Sequence, residues 1–122
     1  MIKKNLNKAT AFQQAHEKFV VETKLKNFDL ASSRAWAKLT ARFGPKITQE
    51  ELLSLAQICS IHTQIDLHRE FKRRKKMLII WFEEHFETVW PFIENSLIIT
   101  DKDHKIINYE LDDTIQFCPS PS

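Results

Sequence analysis

Glycine is almost missing from this chain: Gly44 is the single one in 122 residues. Phosphate-cradling loops and dinucleotide-binding turns need several glycines, because the backbone must approach the phosphates closely. ATP, GTP and NAD chemistry on those scaffolds is therefore excluded. Proline is also scarce, and three of the four fall at or after Pro91. So little turn material before position 91 favours long helices over a many-stranded sheet. The two cysteines, Cys59 and Cys118, make no disulfide framework. A reducing compartment is expected, the nucleus first and the cytoplasm as the alternative. No apolar run approaches the length that spans a membrane. No apolar segment follows Lys3 and Lys4 in the way a secretory signal requires.

Catalytic and metal-binding patterns are missing as well. The five histidines (16, 62, 68, 85 and 104) and two cysteines form no Cys-x-x-Cys, His-Glu-x-x-His or Glu-x-x-His spacing. No metal and no cofactor is expected. Glu83, Glu84 and Glu87 cluster near His85, and Glu83 and Glu87 share a helix face, so a carboxylate pair is conceivable. Carboxylates on the flank of an amphipathic helix are usually solvated, and no serine or cysteine has a base placed by sequence. The chain reads as a non-enzyme.

What is present is charge, unevenly spread. Residues 1–80 carry 16 Lys and Arg against 7 Asp and Glu; residues 81–122 carry 2 against 9. The densest basic run is Arg69, Lys72, Arg73, Arg74, Lys75 and Lys76, six of the eight positions 69–76, with Glu70 the only acid among them. Like charges along a helix repel one another, so such a face calls for a polyanion, and Arg forks suit phosphate oxygens. The alternative is an ordinary solvated face. Directly after it come the six most apolar residues, Met77 to Phe82.

In chain order, Phe12, Ala15 and Phe19 give a helix with one apolar stripe over 9–28. Asp29 or Ser32/Ser33 can cap a second helix lined by Trp36, Leu39 and Phe43, which Gly44-Pro45 stops. Thr48 with Glu51 is the clearest capping box, opening a helix to about Ser60. Thr63 with Asp66 reads as another box, predicting one long helix from there to Trp90, where Pro91 disfavours helix. That is roughly 27 residues, or about 40 Å at 1.5 Å per residue. Its second half carries Trp81, Phe82 and Phe86 on more than one flank, which predicts that these aromatics meet a partner chain. Residues 97–111 read as a short β-hairpin and 112–122 as a tail. The expected architecture is one domain over 1–122. It is mainly α, with four helices, a core over 33–90 around the long central helix, and the hairpin packed on them.

Within that core, residues 33–76 resemble a homeobox-type helix-turn-helix. Leu39 and Phe43 match the Leu-x-x-x-Phe of its first helix; Leu55-Ala56, Cys59 and Ile61 match its second helix and turn. Gln64-Ile65-x-Leu67 leading into Lys72-Arg73-Arg74-Lys75-Lys76 is similar to the entry and basic end of its recognition helix. The resemblance implies a third helix in the major groove with its basic end on phosphates. His68, Arg69 and Phe71 fall where the family has Trp-Phe-x-Asn-Arg, so the adenine-reading asparagine has no counterpart and base reading should be poor. Small homeobox-like subunits sit beside MT-A70-type catalytic chains in ciliate DNA adenine methyltransferase complexes. The Lys/Asn/Ile-rich sequence suits an AT-rich genome, and the Asp-Pro-Pro-Trp of those catalytic chains is missing here. The expectation is a non-catalytic DNA-binding accessory subunit of a hetero-complex, a methyltransferase complex being one setting. The alternative is a protein-interaction or scaffold subunit whose basic face meets an acidic protein.

Overall fold

The computed structural model describes the backbone of residues 2–100 and 106–111, and side chains at 11–96 and 98. Five α-helices lie among the described residues: α1 (Ile2–Asn27), α2 (Arg34–Phe43), α3 (Gln49–Thr63), α4 (Lys75–Glu84) and α5 (Phe86–Glu94). Short 3₁₀ turns fall at Leu30–Ser32 and Arg69–Arg73. The fold is mainly helical. Strand β1 (Ser96–Thr100) runs antiparallel to β2 (Ile106–Leu111), with Ser96 opposite Leu111 and an irregularity between Ile99 and Thr100. The turn expected inside 97–111 and the tail at 112–122 lie outside the described residues.

Local chemistry sets most helix ends. Ser33 caps α2, its hydroxyl accepting the Trp36 N–H at 3.1 Å. Gly44 ends α2 at φ 99°, donating to Thr40 O at 2.9 Å, and Pro45 prevents continuation. The Thr48/Glu51 box forms as the spacing predicts: Glu51 N–H donates to Thr48 Oγ1 at 3.2 Å and Thr48 N–H to Glu51 Oε1 at 2.7 Å. α3 then runs three residues past Ser60.

The long helix expected from Thr63 to Trp90 does not form. Thr63 is the last residue of α3, and its hydroxyl donates back to the Cys59 carbonyl instead of capping a new helix. Gln64 turns left-handed at φ 60°, and Ile65 N–H closes the end on Ser60 O at 3.1 Å. The α-helix resumes only at Lys75. It breaks again at His85, whose backbone N–H and Nδ1 both lie 3.0 Å from the Trp81 carbonyl. Pro91, expected to end the helix, sits inside α5, which continues to Glu94. Its missing N–H removes one backbone donor from the helix, and the exposed ring is tolerated there.

The break lets α4 lie at the centre. Met77, Leu78, Ile79, Ile80, Trp81 and Phe82 are all buried, at most 3% exposed. A helix apolar on every side needs walls on every side. Here α1, α2, α3, α5 and the Arg69–Arg73 turn supply them. Leu39 and Phe43 of α2, Ile47 of the following loop and Leu52, Leu55 and Cys59 of α3 join the core, as do Val89, Trp90 and Ile93 of α5. Among the described side chains α1 joins through its C-terminal part, where Val21 is buried and Leu25 half-buried, and the half-buried Phe28 follows just past its end. Positions 11–20 of α1 are exposed apart from the half-buried Glu17. Its stripe of Phe12 and Phe19 therefore faces out, at 81% and 69% exposure.

Candidate nucleic-acid interface

Four of the six basic residues, Arg69, Lys72, Arg73 and Arg74, lie on the crossing from α3 to α4 rather than on one helix face, and Lys75 and Lys76 open α4. The backbone of the crossing is pinned from inside. Phe71 is buried, with the His68 ring 5.3 Å away. His68 Nδ1 accepts the Glu70 N–H at 3.2 Å and so caps the 3₁₀ turn. The Trp81 indole donates to Asp66 O at 3.4 Å, and Gln49 Nε2 reaches Arg73 O at 3.1 Å and Lys72 O at 3.4 Å. With the main chain held this way, the cationic side chains point outward. Arg69, Lys72, Arg73 and Arg74 are exposed; Lys75 and Lys76, in the first turn of α4, are half-exposed.

Their electrostatic surroundings differ. Arg74 pairs with Glu22 of α1 at 3.0 Å and Arg73 with Glu70 at 3.6 Å. Lys75 lies 5.3 Å from the Trp36 ring centroid. Among the described residues no carboxylate pairs with Arg69, Lys72, Lys75 or Lys76. Between this crossing and α1 lies a groove of about 750 Å³. It carries both signs, Glu17, Glu22, Asp66 and Glu70 against Lys18, Arg69, Arg73 and Arg74.

The acids of the 83–94 stretch are occupied elsewhere. Glu83 reaches back from α4 to the start of α2. One oxygen accepts Ser33 Oγ–H and Ala35 N–H, each at 2.9 Å, and the other accepts Arg34 Nε at 3.1 Å. Partial burial alone would raise the Glu83 pKa. The Ala35 N–H, the Ser33 hydroxyl and the Arg34 guanidinium outweigh it and hold the carboxyl below its ordinary range. Arg34 is correspondingly pushed up by its bonds to Glu83 and then Glu87, the latter at 3.0 Å. Glu84 pairs with Lys24 at 2.9 Å, and Glu94 lies 3.9 Å from Lys38. The carboxylates that suggested acid–base chemistry thus bridge α1 and α2 to α4 and α5.

The aromatic residues expected to meet a partner are corrected by their burial. Trp81 and Phe82 are core, fully enclosed with their rings 5.1 Å apart edge to face. Two neighbouring faces of α4 both point inward because inward lies on every side of it. Phe86 is half-buried, stacked on Trp90 at 5.9 Å and covered by Arg34 at 4.2 Å. Cys59 is buried, and burial pushes its thiol far above the usual range. Among the described residues no group of three His, Cys, Asp or Glu is arranged to hold a metal ion. No helix there is long and apolar enough to cross a membrane. Sequence reasoning missed Gln49, which fixes the crossing, and the contribution of α1 through Lys18 and Glu22. Both depend on contacts distant in sequence. Comparison with protein-family models, curated proteins and solved structures gives no match.

Proposed function

We propose that the chain is a non-catalytic DNA-binding accessory module. Arg69, Lys72, Lys75 and Lys76 contact phosphates, with Arg73 and Arg74 at the edge of the same surface. One observation carries the reading. The carboxylates at 83, 84, 87 and 94 are taken up by Lys24, Arg34 and Lys38. Four cations without a described ion pair, Arg69, Lys72, Lys75 and Lys76, fall within eight residues on the pinned crossing and the first turn of α4, while Lys18, Lys26, Arg42 and Lys46 are scattered elsewhere. On this reading α2, α3 and α4 stand where a homeobox-like helix-turn-helix has its three helices. The 64–74 crossing then replaces the first half of the recognition helix. Contacts would be to backbone rather than base edges, giving affinity with little sequence preference. A nuclear hetero-complex, such as one around a DNA adenine methyltransferase chain, is the setting the resemblance suggests.

The mixed-charge groove favours a second reading, a scaffold subunit that takes a protein segment there, since Glu17, Glu22, Asp66 and Glu70 would repel phosphate. Salt dependence separates the two. Four phosphate contacts give a slope of log K against log salt of about −3.6, at roughly 0.9 per contact. Changing Arg69, Lys72 and Lys76 together to alanine should bring that slope to about −1 while leaving the helical circular dichroism unchanged. Binding to duplex DNA that keeps its slope in the triple variant removes the crossing from DNA contact and leaves the scaffold reading.

A further inference from the structure

The groove beside the basic crossing has α1 as its other wall, and α1 brings acids to it. Gln14, Glu17, Lys18, Val21 and Glu22 line the groove from that helix. Their three- and four-residue spacing makes them one helical face. Glu22 reaches Arg74 at 3.0 Å. Among the described residues it is the one carboxylate that a distant element sends to the basic run of 69–76. Arg73, by contrast, is met by Glu70 of its own turn at 3.6 Å. We propose that Glu22 is an autoinhibitory stand-in for phosphate, occupying Arg74 in the free protein and giving it up when DNA binds. The inference rests on the DNA-binding reading and makes Arg74 a contact under competition.

Placement and weakness together suit the pair to this use. Glu22 is kept at the groove by its neighbours: Val21 is buried, and Lys24 pairs with Glu84 of α4 at 2.9 Å. The pair itself stays open to solvent, with the Arg74 side chain 50% and the Glu22 side chain 47% exposed. An ion pair that exposed holds weakly. A phosphate offers the guanidinium fork two oxygens much as a carboxylate does, and a duplex brings further phosphates to the neighbouring cations at the same time. Exchanging one anion for the other leaves the crossing as it is, because Gln49 and Phe71 hold its backbone from the other side. The displaced carboxylate then remains on the groove wall with Glu17 and opposes the bound phosphates. Affinity is thereby set below what the six cations alone would give.

Fluorescence anisotropy of a labelled DNA duplex, titrated with the full chain at low salt, tests it through a double-mutant cycle. Glu22→Gln keeps the side-chain shape and removes the charge, so Arg74 is released. Affinity should rise about two- to fourfold, the scale of an exposed ion pair. Glu17→Gln removes a groove acid that has no described ion pair, and so reports general repulsion alone. Its gain should be smaller. In an Arg74→Ala background the gain from Glu22→Gln should fall to the level of Glu17→Gln. Wild type that binds the duplex, with a Glu22→Gln variant of equal affinity, overturns the competition and leaves the DNA reading standing. A gain that survives Arg74→Ala undiminished also overturns it, because Glu22 then acts by repulsion and not through Arg74. Failure of both wild type and Glu22→Gln to bind removes the DNA reading and this inference together.

Discussion

Glu83→Ala should be among the most costly substitutions of any half-exposed residue in the chain. The Glu83 carboxylate receives Ser33 Oγ–H, Ala35 N–H and Arg34 Nε, all within 3.1 Å. It acts as an N-terminal cap for α2 supplied by a different helix, where a negative charge also suits the helix dipole. Hydrogen bonds to charged groups contribute about 1.5–3 kcal/mol each when shielded. The Arg34 pair is solvent-exposed on the arginine side and adds little. Partial exposure reduces the first figure, so alanine should cost about 2–3 kcal/mol in total. Glu83→Gln keeps an oxygen for Ser33 and Ala35 and loses the charge, so it should cost about 1 kcal/mol. The pH dependence has a definite sign. The folded pKa lies below the ordinary 4.5, so the stabilisation is fully present above 4.5 and is lost as pH falls through the folded value. Urea titrations from pH 7 down to the acid limb, on wild type and both variants, measure all of this. A glutamine variant with the same acid limb as wild type would refute the reasoning, as would an alanine variant within 0.5 kcal/mol, roughly the scatter of neutral surface changes.

Two further outcomes follow from the packing. Trp81→Ala should cost about 3–5 kcal/mol, read as a lower urea midpoint, because the indole is enclosed on all sides of α4; a loss under ~1 kcal/mol would mean that α4 is not the centre of the core. Gly44→Ala should cost about 1–3 kcal/mol, since φ 99° with ψ 153° is a conformation that a β-carbon opposes. A melting temperature equal to wild type would show that the α2–α3 turn relaxes at no cost.

Short-range chemistry was legible in the sequence, and long-range choice was not. Gly44-Pro45 and Thr48/Glu51 act through bonds within four residues, and both form where the spacing puts them. Thr63 with Asp66 offers the same pattern as Thr48 with Glu51, yet the chain spends Thr63 on ending α3. The difference is tertiary. Ile65, Leu67 and Phe71 must pack against the core, and a straight helix through them would carry those side chains past it. A straight helix through Phe82 could also not be walled on all sides. The six-residue apolar run at 77–82 held that information, because a helix apolar all round is a buried helix. Read instead as excess apolar surface on a long helix, it pointed to a partner at Trp81 and Phe82. The stripe on α1 fails in the opposite direction. Phe12, Ala15 and Phe19 have the spacing of a core-facing helix, yet among the described residues nothing packs over them.

Charge shows most clearly where sequence stops and structure begins. The imbalance between residues 1–80 and 81–122 is visible by counting, and it suggests a basic end and an acidic end. Folding brings the two halves together instead. α5 lies alongside α2, so the acids at 83, 87 and 94 meet Arg34 and Lys38, and Glu84 meets Lys24. The pairing is mostly exposed and so worth little as stability. Its consequence is one of distribution, because it removes four acids and three bases from the field seen at a distance. Of the described cations that remain, the densest group is Arg69, Lys72, Lys75 and Lys76, with Lys18, Lys26, Arg42 and Lys46 spread over other elements. Their spacing is set by a crossing that Gln49 and Phe71 hold in place rather than by a helical repeat. A phosphate backbone presents charge at regular short intervals and tolerates such irregular spacing, whereas base-edge recognition requires side chains in fixed register. The same break that moves Trp81 into the core also moves Arg69, Lys72, Arg73 and Arg74 off a helix face, and on the proposed DNA-binding reading affinity without sequence preference would follow.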